Sequence, residues 1–147
     1  SAMPTNLYGP NDNYDLENSH VLPALIRKFH EAKEQELQEV EIWGSGKPLR
    51  EFMHVDDLAD ASVFVMSNYN EWQFLNVGTG DEISIGNLAI LIKEIVGFQG
   101  ELTQNTDKPD GTMRKLMDSS ALHQLGWSSK IGLKEGISKV YSNYKQC

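Results

Sequence analysis

Cysteine is nearly missing from this chain: among 147 residues there is only Cys147, at the end. One thiol cannot close a disulfide within the chain or build a cysteine-based metal site, so a reducing, cytoplasmic setting is expected. Apolar runs are short as well. None approaches the roughly 20 residues that a bilayer span requires, so no membrane partner is expected. The amino terminus shows no basic segment leading into an apolar stretch, the mark of a secretory signal. Positive charge is scarce, 13 lysines and arginines against 21 acids, for a formal net charge of −8. That balance excludes broad binding to nucleic acid, whose affinity comes largely from cations on phosphate. With 39% hydrophobic residues, the chain can bury a core of its own.

The scarce cations fall in short clusters: Arg27 with Lys28, Lys47 with Arg50, and Arg114 with Lys115. An anionic ligand could find a local basic pocket there. Residues 1–3 read as an expression scar, and residues 4–147 as one domain. From Pro4 to Asn13 turn formers dominate and no helical period is present, so a strand end running into a loop is expected. Val21, Leu22, Leu25, Ile26 and Phe29 recur at helical spacing, which predicts a helix from about Ser19 to Lys33 with Pro23 in its first turn. Val40 to Trp43 alternates like a short strand, and Gly44 to Pro48 is the turn after it.

Arg50 to Val55 is a second strand candidate, followed by a helix capped by Asp56 or Asp57 that turns Leu58, Ala61, Val65 and Met66 inward. Phe74 to Val77 is a strand ending in a Gly78-Thr79-Gly80 turn. Ser84 caps a helix through Leu88, Leu91, Ile92 and Ile95 that stops at Gly97. Thr103 to Thr112 is polar and reads as a loop around Pro109-Asp110-Gly111. A short helix from Leu122 ends at Gly126, and a final helix runs from about Leu133 to Tyr144. The class is α/β, a small mixed sheet with packed helices.

Arg50-Glu51-Phe52-Met53-His54-Val55-Asp56-Asp57 resembles a segment of the extended short-chain dehydrogenase/reductase family acting on nucleotide sugars: arginine, an acid, an aromatic, any residue, histidine or tyrosine, valine, any residue, aspartate. Pro4-Thr5-Asn6-Leu7-Tyr8-Gly9-Pro10 is similar to the stretch that follows the family's catalytic tyrosine and lysine, and Asn76-Val77-Gly78 to a later strand. Asn18 to His30 and Lys108-Pro109-Asp110-Gly111 narrow the resemblance to the GDP-L-fucose synthases. It covers Pro4 to about Tyr144.

The resemblance implies the carboxyl-terminal substrate-binding lobe of such an enzyme, lacking most of its Rossmann domain. The intact enzyme epimerises C3 and C5 of GDP-4-keto-6-deoxy-mannose, reduces C4 with NADPH to give GDP-L-fucose, and is expected to be a homodimer. His20 matches the family's catalytic acid; reprotonating an enolate needs a donor titrating near neutrality, which suits histidine. Pro4, Thr5, Asn6, Leu7 and His20 match positions that reach the nicotinamide end of NADPH. Lys28, Trp43, Arg50 and Asp110 match substrate contacts, with Arg50 at the diphosphate; Lys115, outside those matches, is expected as a further contact.

The glycine-rich cofactor loop and the tyrosine-lysine pair are not in this sequence, so no turnover and no bound cofactor are expected of the chain alone. No metal site is expected. Elements that return to the cofactor sheet are expected to leave apolar surface exposed.

Read without the resemblance, each residue has an ordinary role: His20 as a surface or capping residue, Lys28 on a solvated helix face, Trp43 in a strand core, Arg50 beside Glu51 or Asp56. His30, His54 and His123 read as structural, and Cys147 as an exposed bystander. Another nucleotide-sugar epimerase or dehydratase, or a non-catalytic nucleotide-sugar binding module, remains an alternative.

Overall fold

The computed structural model describes residues 1–16 and 18–146, so Cys147 lies outside the described residues. The elements run β1 (Ala2–Pro4), β2 (Asn6–Tyr8), α1 (Val21–Glu34), β3 (Glu39–Trp43), β4 (Leu49–Arg50), β5 (Phe52–His54), α2 (Val55–Asn68), β6 (Leu75–Val77), β7 (Ile83–Ser84), α3 (Ile85–Val96), β8 (Glu101–Asn105), β9 (Arg114–Lys115), α4 (Ser120–Gln124) and α5 (Leu133–Tyr144). The expected α/β class is found. The small mixed sheet is β7-β4-β9, and three parallel pairs, β1-β6, β2-β5 and β3-β8, accompany it among the described residues.

Helical periodicity accounts for the main core. Helix α1 buries Leu22, Leu25, Ile26, Phe29 and Ala32, with Pro23 in the first turn where no intrahelical donor is lost. Against it lies α3, which starts where Ser84 Oγ accepts from Asn87 N at 3.1 Å and stops at Gly97, whose φ of 76° suits a residue without Cβ. Helix α5 adds Ile137, Val140 and Tyr141 to the same core, which also takes in Tyr8, Val40, Ile42, Phe52 and Phe98. A smaller core gathers Met53, Ala61, Leu75, Val77, Leu122 and Trp127 under α2 and α4.

Several sequence expectations change. The strand expected from Arg50 to Val55 is broken at Glu51: Leu49 and Arg50 pair with β7 and β9, whereas Phe52–His54 pairs with β2. Glu51 is fully buried between the two ladders. The cap of α2 is neither aspartate but His54, whose Nδ1 accepts from Asp56 N at 3.2 Å. Asp57 instead turns inward and accepts from Lys130 N and Ile131 N at 3.1 and 3.0 Å, tying the chain before α5 to the start of α2.

Met66 does not face inward; it is 84% exposed, and Val63, Trp72 and Phe74 are exposed with it. Ala2 and Met3 take part in β1, in register with Leu75 and Asn76 of β6. Strand β8 lies partly within the stretch read as a loop, and it pairs along all of β3.

Candidate functional site

Ion pairing sorts the cation clusters. Arg27 is held by Glu31 at 2.6 Å and Arg114 by Glu82 at 2.9 Å. Lys28, Arg50 and Lys115 have no carboxylate within ion-pair distance among the described residues. The ordinary reading of Arg50 as a partner for Glu51 or Asp56 therefore does not hold. One guanidinium nitrogen donates to the carbonyls of Leu49 at 2.7 Å and Thr112 at 2.6 Å, which fixes the side chain while leaving its charge uncancelled. Arg50 and Lys115 stand opposite one another in the β4-β9 ladder.

On one side of that ladder is a cleft of about 570 Å³ lined by residues 4–12, His20, Val55, Lys115 and Met117. It gathers Pro4, Thr5, Asn6, Leu7 and His20, all singled out from the sequence, and adds Lys115. Its strand wall is firm because Asn6 Nδ2 and Thr5 Oγ1 both donate to the Glu51 carbonyl, at 2.7 and 3.4 Å. Those two side chains thus brace the loop. His20 is exposed immediately ahead of α1 and its side chain caps nothing, so the imidazole is not committed to the helix terminus. Tyr8 closes the inner end, its ring edge-on to His54 with centroids 5.4 Å apart. Burial, then the nearby charges of Asp57 and Glu135, push the Tyr8 phenol above its ordinary range.

The other residues gather around the end of β3. Strand alternation buries Val40 and Ile42 and turns Trp43 outward, where it is 60% exposed rather than core. Lys28 Nζ lies 5.4 Å from the indole centroid and donates to the Glu41 carbonyl at 3.3 Å. Lys108 Nζ lies 5.3 Å from the same centroid.

Asp110 accepts from Ser45 N at 2.8 Å and Ser45 Oγ at 2.7 Å, pinning the β8-β9 loop to the turn after β3. Those bonds hold its carboxyl below the usual range. The contact requires glycine next door: Gly44 has φ of 77°, and a Cβ there would collide with the Asp110 carboxylate.

The structure thus brings Lys28 to Trp43 with Asp110 bonded to the turn that follows, and the Pro4–Leu7 strand with His20 and Lys115 to the cleft; Arg50 stands opposite Lys115 in the ladder and is bonded to the β8-β9 loop at Thr112. Sequence reasoning missed Lys108, which it quoted only as part of a segment. It also missed the part played by Glu51. That carboxylate accepts from Gly80 N at 2.9 Å, Thr79 Oγ1 at 3.3 Å and Met117 N at 3.3 Å, joining the Gly78-Thr79-Gly80 turn to the Lys115–Met117 wall. Nothing in the sequence around Glu51 signalled that part, because its partners lie 28 to 66 residues further along the chain. His30, His54 and His123 do bond within the fold, to Tyr141 Oη, Asp56 N and the Gly78 carbonyl.

Among known proteins, a putative GDP-L-fucose synthase 2 of Arabidopsis thaliana is 62% identical over 144 residues, 98% of this chain and 44% of its own length. The GDP-L-fucose synthase of Escherichia coli K12 is 50% identical over 150 residues, 96% of this chain and 47% of its own length. The solved GDP-L-fucose synthetase of Naegleria fowleri bound to NADP superposes with a TM-score of 0.93 at 31% identity, over 99% of this chain and 46% of that one. The chain therefore spans a little under half the length of the curated relatives it matches. Residues 1–78, more than half of the chain, match the description "NAD dependent epimerase/dehydratase family", and to that family this chain belongs.

Proposed function

We propose that this chain is the nucleotide-sugar-binding portion of an NADPH-dependent GDP-L-fucose synthase that acts on GDP-4-keto-6-deoxy-mannose as a cytoplasmic homodimer. The observation that carries the reading is the pair Arg50 and Lys115, which have no carboxylate within ion-pair distance among the described residues and stand opposite one another across β4-β9. Lys115 lines the cleft that holds His20, and Arg50 is bonded to the loop from which Lys108 reaches an exposed indole. A diphosphate takes fixed cations and a purine takes a flat apolar face. Arg50 offers a fixed fork to the diphosphate and Lys115 adds a second cation beside it. Lys28 places a point charge at Trp43, and Asp110 holds the loop that closes this side.

His20 is the acid that returns a proton to carbon when the sugar epimerises, its imidazole standing at the cleft rim. For NADPH the residues present fit one end only. Pro4 to Leu7 and His20 form a braced polar wall, and the sequence carries no glycine-rich phosphate loop. When bound, the cofactor supplies hydride to C4 of the sugar; this chain's part is to wall the reacting end and keep water from it. The similarity of the chain to fucose synthases over nearly its whole length supports the substrate assignment.

In the full-length enzyme, His20→Ala should cut formation of the epimerised sugar by about 10²-fold or more while GDP still binds. Epimerisation at the unaltered rate would remove His20 from the role.

A further inference from the structure

Lys108 entered above only as the first residue of the Lys108-Pro109-Asp110-Gly111 segment, yet its position is built rather than incidental. It projects from the β8-β9 loop, which is fastened on both sides. On the β8 side Asn105 Nδ2 donates to Glu41 Oε1 at 3.0 Å and Asp107 N to Asn105 Oδ1 at 3.1 Å. On the β9 side Asp110 is bonded to Ser45 and the Thr112 carbonyl to Arg50. Between these anchors the backbone of Lys108 donates to the Asn105 carbonyl at 3.3 Å. Its ammonium reaches the Trp43 ring from a different element than Lys28 does, yet both end about equally far from the centroid, at 5.3 and 5.4 Å. Neither ammonium has a carboxylate within ion-pair distance among the described residues.

An exposed aromatic face repays an ammonium only in part in water, so each of the two keeps charge to offer an anion delivered beside the ring. We infer that Lys108 is a ligand-binding residue of this site: with Lys28 it adds positive charge for the phosphates that Arg50 and Lys115 hold, in a nucleoside diphosphate whose flat ring lies against Trp43. The β8-β9 loop is thereby the clamp that distinguishes a phosphorylated ligand from a bare nucleoside. This rests on the nucleotide-sugar reading above and assigns a further residue and a loop to it.

The test is calorimetric titration of the chain, its Lys108→Gln and Lys108→Arg variants, and Arg50→Ala, with GDP and with guanosine. Glutamine at position 108 should weaken GDP by about three- to fivefold, the range of a solvent-exposed charge contact. It should leave guanosine unchanged, and arginine there should restore GDP. If Lys108→Gln leaves GDP affinity unaltered or tightens it while Arg50→Ala weakens it, the site stands and the role of Lys108 is overturned; Lys108 would then merely cover the ring. If the unaltered chain binds neither ligand, the nucleotide reading fails and the inference falls with it.

Discussion

Replacing Glu51 tests the joint between the two halves of the site. Its carboxylate is fully buried and has no cation beside it among the described residues. It persists there through the donors Gly80 N and Thr79 Oγ1 on one oxygen and Met117 N on the other. Glutamine keeps one acceptor oxygen. With that oxygen toward Gly80, the amide NH2 faces Met117 N, so one charge-assisted bond is lost and a donor is stranded, costing about 1.5 to 3 kcal/mol.

Alanine strands every donor and leaves a void against Gly78, costing about 4 kcal/mol. That is a large share of a domain stability of about 5 to 15 kcal/mol. Urea unfolding followed by far-ultraviolet circular dichroism gives both values, and amide hydrogen exchange locates them. In Glu51→Gln the Met117 amide should exchange faster while amides of α3 keep their protection. A glutamine variant within about 0.5 kcal/mol of the parent, with Met117 exchange unchanged, refutes the assignment of Glu51 as the joint.

Gly44→Ala forces a Cβ onto the Asp110 carboxylate at a positive φ, so it should release the β8-β9 loop and weaken GDP, whereas Gly132→Ala, with open space around it, should leave binding alone; calorimetry compares the two. The Asp110 carboxyl, depressed by Ser45, should titrate below its ordinary 3.8. Its contribution to loop order is complete above that value and is lost as pH falls through the lower folded one, and carboxyl NMR should show Ser45→Ala moving the titration upward. Tyr8→Phe removes a buried hydroxyl that has no hydrogen-bond partner among the described residues; the melting temperature should hold or rise, and a fall of more than a few degrees would show that the hydroxyl is satisfied in solution.

What could be read directly from the sequence was whatever had a period or a cap. Helix α5 runs from Leu133 to Tyr144 as its spacing predicts, and α3 begins at Ser84 and ends at Gly97. Strands β7, β8 and β9 were not legible, because short polar stretches become strands only through partners far along the chain, such as Arg50 for Lys115. The break at Glu51 was hidden for a related reason: alternation says which way a side chain points but not which ladder its strand joins.

The outward turn of Trp43 follows from the burial of its neighbours Val40 and Ile42, so alternation carried it although a large aromatic invited a core reading. For the cleft, composition offered little. Asn6 and His20 are remote in sequence, and only the family resemblance placed them together before the fold did; Lys115, expected among the substrate contacts, joins them in the cleft.

The most direct test of the account is titration of GDP into the purified chain, with UDP as control and Arg50→Ala beside it. Arg50, fixed by the Leu49 and Thr112 carbonyls and free of any carboxylate partner among the described residues, should contribute a charge-assisted contact worth about 1.5 to 3 kcal/mol. The account predicts selective GDP binding that Arg50→Ala weakens by about tenfold or more. GDP and UDP isotherms that coincide and do not respond to the substitution would contradict it.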